Sequence, residues 1–89
     1  MPIQDITASE FDMSKSMFWN CGAIDVPNPT NVVSAQSGLI FFTDTPTSWG
    51  SNFQFPGGTP GTYTAGDVLP FVATGVSTIK LGNPTVGIA

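Results

Sequence analysis

At 89 residues the chain has room for one domain and too little for two, since natural domains run from about 50 to 250 residues. Its apolar share of 40% supplies a core, but only 9% of its residues are charged, against roughly 25% in an ordinary soluble domain. Two lysines, no arginine, no histidine and a net charge of −4 exclude a basic patch for nucleic acid or an anionic membrane surface, and exclude imidazole chemistry with them.

So little charge points to a surface that neighbours cover. Size argues the same way: a chain this short buries only about 60–65% of its extended surface, so association would add to a thin margin. Cys21 is alone, which rules out an internal disulfide framework and reads as a small buried hydrophobe. No run approaches the roughly 18 apolar residues of a membrane span. There is no basic, apolar leader, and both Asn-x-Thr triplets carry a central proline (Pro29, Pro84), so they are not glycosylation acceptors. Folding in a reducing cytoplasm is the expectation.

Residues 1–31 read as an arm and linker. Thr7-Ala8-Ser9-Glu10 has the spacing of a helix capping box, which would place Phe11, Ser14 and Phe18 on one face beside Met13 and Met17. The same residues also fit an extended arm, and the two readings stay open. Phe18-Trp19 closes the segment with the bulkiest apolar pair, suited to anchoring an arm in a pocket of this chain or a neighbour. Asn20 to Asn31, with Pro27 and Pro29, is linker-like because proline bars a helix there.

Residues 32–89 read as a small β domain. Val32-Val33 and Gly38 to Thr43 are expected strands. In the second, Leu39 and Phe41 face one way, Ile40 and Phe42 the other, so both sides need cover. Asp44 to Asn52 is a loop with Trp49 at its tip, Phe53-Gln54-Phe55 a half-strand, and Pro56 to Gly61 a break. A three-strand meander is expected over Gly61 to Leu81, turning at Ala65-Gly66-Asp67 and Thr74-Gly75. Pro70 would demote its middle strand to an edge or a bulge. Val86 to Ala89 is an apolar tail. The fold class that results is mainly β: a small antiparallel sandwich or barrel-like domain with an extended N-terminal arm.

Catalysis needs a nucleophile, a base or a metal in a defined cluster, and nothing here suggests one. Glu10 and Asp12 are the nearest carboxylate pair, able in principle to flank a sugar or bind a cation, and Asp44 with Asp67 is a second candidate pairing for a metal. The Gly-rich run has no Gly-Lys-Ser/Thr and opens no helix, so it is no phosphate cradle. Trp49, Phe53, Phe55 and Tyr63, with Asn52 and Gln54, offer rings and amides for a glycan platform. No enzyme activity and no cofactor or metal are expected.

The segment Thr62-Tyr63-Thr64-Ala65-Gly66-Asp67-Val68-Leu69-Pro70 resembles a Tyr-x-Ala-Gly-Asp-Val stretch of small tailed-phage virion proteins. The format, β-rich, acidic, Gly/Pro/Thr-rich and with an irregular arm, is similar to that of capsid decoration or cement proteins. The resemblance implies a virion structural protein on the capsid surface, made in the host cytoplasm. It would bind the major capsid protein as a homo-oligomer, with a trimer favoured. The candidate interface residues are Phe11, Met13, Met17, Phe18, Trp19, Leu39, Phe41 and Trp49. A tail, fibre or neck component, or a glycan-binding β module, is the alternative.

Overall fold

The computed structural model describes residues 3–85. The expected tail Val86–Ala89 lies outside them. Strands β1 (Gln4–Asp5), β2 (Phe18–Cys21), β3 (Asp25–Val26), β4 (Ser37–Phe42), β5 (Ser48–Trp49), β6 (Phe53–Gln54), β7 (Val68–Gly75) and β8 (Thr78–Leu81) carry the fold. Six form one sheet in the order β1-β2-β4-β7-β8-β6, and β3 pairs with β5 in a small second sheet. The domain is mainly β, as the sequence predicts.

The pairing is mixed, not purely antiparallel. The antiparallel unit is β4-β7-β8, while β1, β2 and β6 join it in parallel. Parallel neighbours need long connections, and residues 6–17, 22–36 and 55–77 supply them for β1–β2, β2–β4 and β6–β8.

Residues 3–31 take a different path from that of a free arm. Thr7 and Glu10 exchange backbone hydrogen bonds across a tight turn (3.0 and 3.3 Å), so no helix begins there. The Glu10 side chain reaches Lys15 instead of capping an N-terminus (2.8 Å). Phe11 and Met13 are then both buried, either side of Asp12 and leading into the 12–15 turn, and are tied to the linker by Met13 N–H to Thr30 O (3.0 Å) and Thr30 N–H to Phe11 O (2.9 Å). The Gln36 amide donates to Met13 O (2.7 Å). The linker is equally engaged: Asn28 Oδ1 accepts the Asn52 N–H (2.8 Å).

One sheet face is the core side. Trp19, Ile40 and Leu69 lie level across β2, β4 and β7, as do Phe53, Ile79 and Ala73 across β6, β8 and β7, and all are buried. Phe11, Met13, Val26, Val32 and Tyr63 cover them from the loops and the second sheet. Alternation explains the choice, since a strand presents every second residue to one side.

Two expected strands and one expected turn differ. Val32 is buried and Val33 exposed, but they form no strand; Thr62–Thr64 is irregular, although Tyr63 is core; and the β7–β8 turn falls at Val76-Ser77, with an irregularity between Ala73 and Gly75 in place of the Thr74-Gly75 turn. Pro70 sits in the middle of the sheet, not at an edge. Its carbonyl accepts the Gly82 N–H (2.9 Å), so its own nitrogen points to the same side, just beyond the end of β8 at Leu81. Leu69 and Phe71, which face β4, keep the ladder intact.

Ala35 is held at φ 72°, where its N–H donates to Ala73 O (2.7 Å). A Cβ disfavours that region by roughly 1–2 kcal/mol. Ala35→Gly is therefore expected to stabilise the domain by about 0.5–1 kcal/mol after the added chain entropy, read as a rise in the urea midpoint. A lowered midpoint would mean that the left-handed turn is not the native conformation.

Candidate functional site

Among the described residues, the sheet's second face is the more exposed one. Register places Asp5, Asn20, Phe41 and Val68 in one row across β1, β2, β4 and β7. The next row holds Phe18, Leu39 and Pro70, and a third holds Ser37, Val72, Lys80 and Gln54. The centre is apolar: Phe18, Leu39, Phe41 and Val68 are half-buried, Pro70 is exposed and Val72 is 38% exposed. The Phe18 and Phe41 rings pack at 6.5 Å. Isolated exposed hydrophobes are ordinary, but a contiguous patch across three strands is what an interface looks like before it is covered.

The two charges on these rows stand at opposite corners. Asp5 lies on the outermost strand at one side, with Asn20 Nδ2 donating to it (3.2 Å). Lys80 projects from β8 at the other, in register with Val72 and Gln54.

Of the eight residues the sequence singles out, Phe18, Leu39 and Phe41 meet on this face. Phe11, Met13 and Trp19 do not; they are core residues at 2%, 1% and 1% exposure and have no surface to offer a partner. Met17 is exposed at the entry to β2, its carbonyl accepting the Leu39 N–H (3.0 Å). Trp49 is on the other side of the molecule, partly buried. Val68, Pro70 and Val72 are the members the sequence reading missed. Alternation around Pro70 is visible along the chain, but only strand pairing sets those side chains beside Phe41 and Leu39.

Comparison with family models, curated proteins and solved structures returns no match.

The glycan reading needs ring faces open to solvent. Trp49 instead packs edge-on against Phe53 (5.1 Å), Phe55 (5.2 Å) and Tyr63 (5.8 Å), while Tyr63 stacks on Phe42 (4.8 Å). Phe53 and Tyr63 are buried in the core and Trp49 and Phe55 pack against it, so the four rings do not form an open platform.

The carboxylates are occupied with the backbone and its turns. Asp12 accepts from Ser14 Oγ (2.6 Å), Asn31 Nδ2 (3.0 Å) and Ser14 N–H (3.0 Å), and those hydrogen bonds hold its pKa down at about 2. It pins the 12–15 turn to the linker, while Glu10 turns to Lys15. Asp25 is lowered by the Thr47 and Ser48 hydroxyls and ties β3 to β5. Asp67, 5% exposed, accepts the Thr64 N–H (3.0 Å) and closes the Ala65-Gly66 turn, while Asp44 caps its own loop at Thr45 N–H (2.8 Å). Among the described residues no three metal-ligating side chains converge. Burial pushes the Cys21 thiol up to about 11, which keeps it a protonated hydrophobe at neutral pH.

Proposed function

We propose that this protein is a virion structural component of the decoration or cement type. It acts on an assembled shell whose lattice partner is the major capsid protein, by burying the Phe18–Leu39–Phe41–Pro70 face between neighbouring subunits there. The observation that carries the reading is the contiguous apolar face opposite the core, in a chain with only 9% charged residues.

Four strands about 4.8 Å apart and five residues at about 3.4 Å make a face of roughly 19 by 17 Å, or about 300–400 Å². Burying it against an equal area yields at most about 15–20 kcal/mol, while association costs about 4–15 kcal/mol before side-chain ordering. One contact is marginal and an array is firm. A shell provides the array, because a clamp that binds only the assembled state stabilises it by mass action and gains from each added contact.

The test is Phe41→Asp in particles that carry the protein. Copies per particle are expected to fall about tenfold or more, while circular dichroism of the free chain stays unchanged. Full occupancy by the variant would sink the reading.

A further inference from the structure

We propose that the occupant of the open face is a second copy of this chain, packed face to face about a two-fold axis over Leu39, with Lys80 of each copy meeting the partner's Asp5. The inference rests on the reading of this face as an assembly contact and names its partner.

Topology sets the symmetry. Asp5 lies on β1, two strands from β4 on one side; Lys80 lies on β8, two strands from β4 on the other. Along the strands, Asp5 is level with Phe41 and Lys80 with Ser37, residues on either side of Leu39. Leu39 is thus the midpoint of the line joining the face's two charges. A two-fold axis lying in the interface and crossing that line at Leu39 exchanges the two ends, so one operation creates two opposite-charge contacts flanking an apolar centre. Isologous interfaces have this self-complementary form.

A heterologous partner would need its own charges placed to suit. A second copy already has them. Spacings of about 4.8 Å between strands and about 6.8 Å per two residues put the diagonal at roughly 55° to the strands. The two sheets then cross at about 70°, near the orthogonal class of sheet packing. In that pose Phe41 lies over the partner's Pro70. The face is about half of the roughly 800 Å² per partner of a standard interface. The pair is consequently weak in dilute solution and is filled where copies are concentrated, as on a shell.

Sedimentation equilibrium of the full chain tests this. Average mass should climb from 9.3 kDa toward twice that value as concentration rises. Asp5→Lys and Lys80→Asp, both at exposed positions, should each weaken pairing about tenfold or more, because each turns two attractions into repulsions. The double variant D5K/K80D should restore pairing to within about threefold of the original. A mass of three chains, a monomer at every concentration, single variants that pair normally, or a double variant that stays monomeric would each overturn the two-fold. If the chain proves monomeric while Phe41→Asp still loses its place on particles, only the choice of a second copy falls. If pairing follows the charges but Phe41→Asp occupies particles fully, the shell reading falls instead.

Discussion

Deleting residues 1–20 is expected to unfold the domain and not to trim an arm from an intact body. The deletion removes β1, three of the four residues of β2 and four core side chains, Ile6, Phe11, Met13 and Trp19. Each fully buried side chain of this kind contributes about 1.5–3 kcal/mol, and a domain below 90 residues holds only a few kcal/mol in reserve. Trp19 alone makes the point. It is packed edge-on against Phe11 at 4.7 Å and level with Ile40 and Gln4 in the sheet. Its indole nitrogen meets no hydrogen-bond acceptor among the described residues, so its contribution is volume and ring packing. Trp19→Ala should cost about 3–5 kcal/mol, which leaves little folded protein at 25 °C, whereas Trp19→Phe should cost much less. Near-ultraviolet circular dichroism and urea titration read both. A cooperatively folded 21–89 fragment would show that residues 3–20 are dispensable cover.

The second large effect is expected at Gly38. A Cβ there would run into the Met17 carbonyl oxygen and lie 2.8 Å from Phe71 Cζ. Met17 O is the acceptor for Leu39 N–H (3.0 Å), so the clash falls on the hydrogen bond that begins the β2–β4 pairing. A ring can rotate aside; a backbone carbonyl held in a ladder cannot. Gly38→Ala should therefore cost about 3 kcal/mol or more, at or above the usual range for overpacking. The open face should suffer as well, because shifting β2 away from β4 separates Phe18 from Phe41. A loss below about 1 kcal/mol in urea would mean that the strands are not this close.

These two positions also show what can be read from residues alone. The strand Ser37–Phe42 is legible because Leu39/Phe41 and Ile40/Phe42 are apolar on both sides of a period of two, and that pattern demands cover on both faces. Its Leu39 and Phe41 lie at the centre of the exposed face. Phe11, Met13 and Trp19 were legible as anchors, but their destination was not. An aromatic run with serine, aspartate and methionine between its members has the same local pattern whether it fills its own core or a neighbour's. Asp12 decides little by itself. The Asn31 amide that meets it comes from nineteen residues downstream.

Pro70 marks the limit most clearly. Locally it argues for a sheet edge, because it lacks a donor. In the folded chain that missing donor points past the end of β8, and Gly82 fits against the ring with no Cβ to obstruct it. The sequence by itself determined the class: one small, mainly β domain, poor in charge, with a strand that has two apolar faces. Those properties follow from composition and from the two-residue period, both local. Only the tertiary structure decided which aromatic residues are core and which are surface, that Val68, Pro70 and Val72 join Phe18, Leu39 and Phe41, and that Asp5 and Lys80 stand at opposite corners around Leu39. Those facts depend on parallel pairings between distant segments, whose register is set by the packing of the whole core and by no residue's own preference.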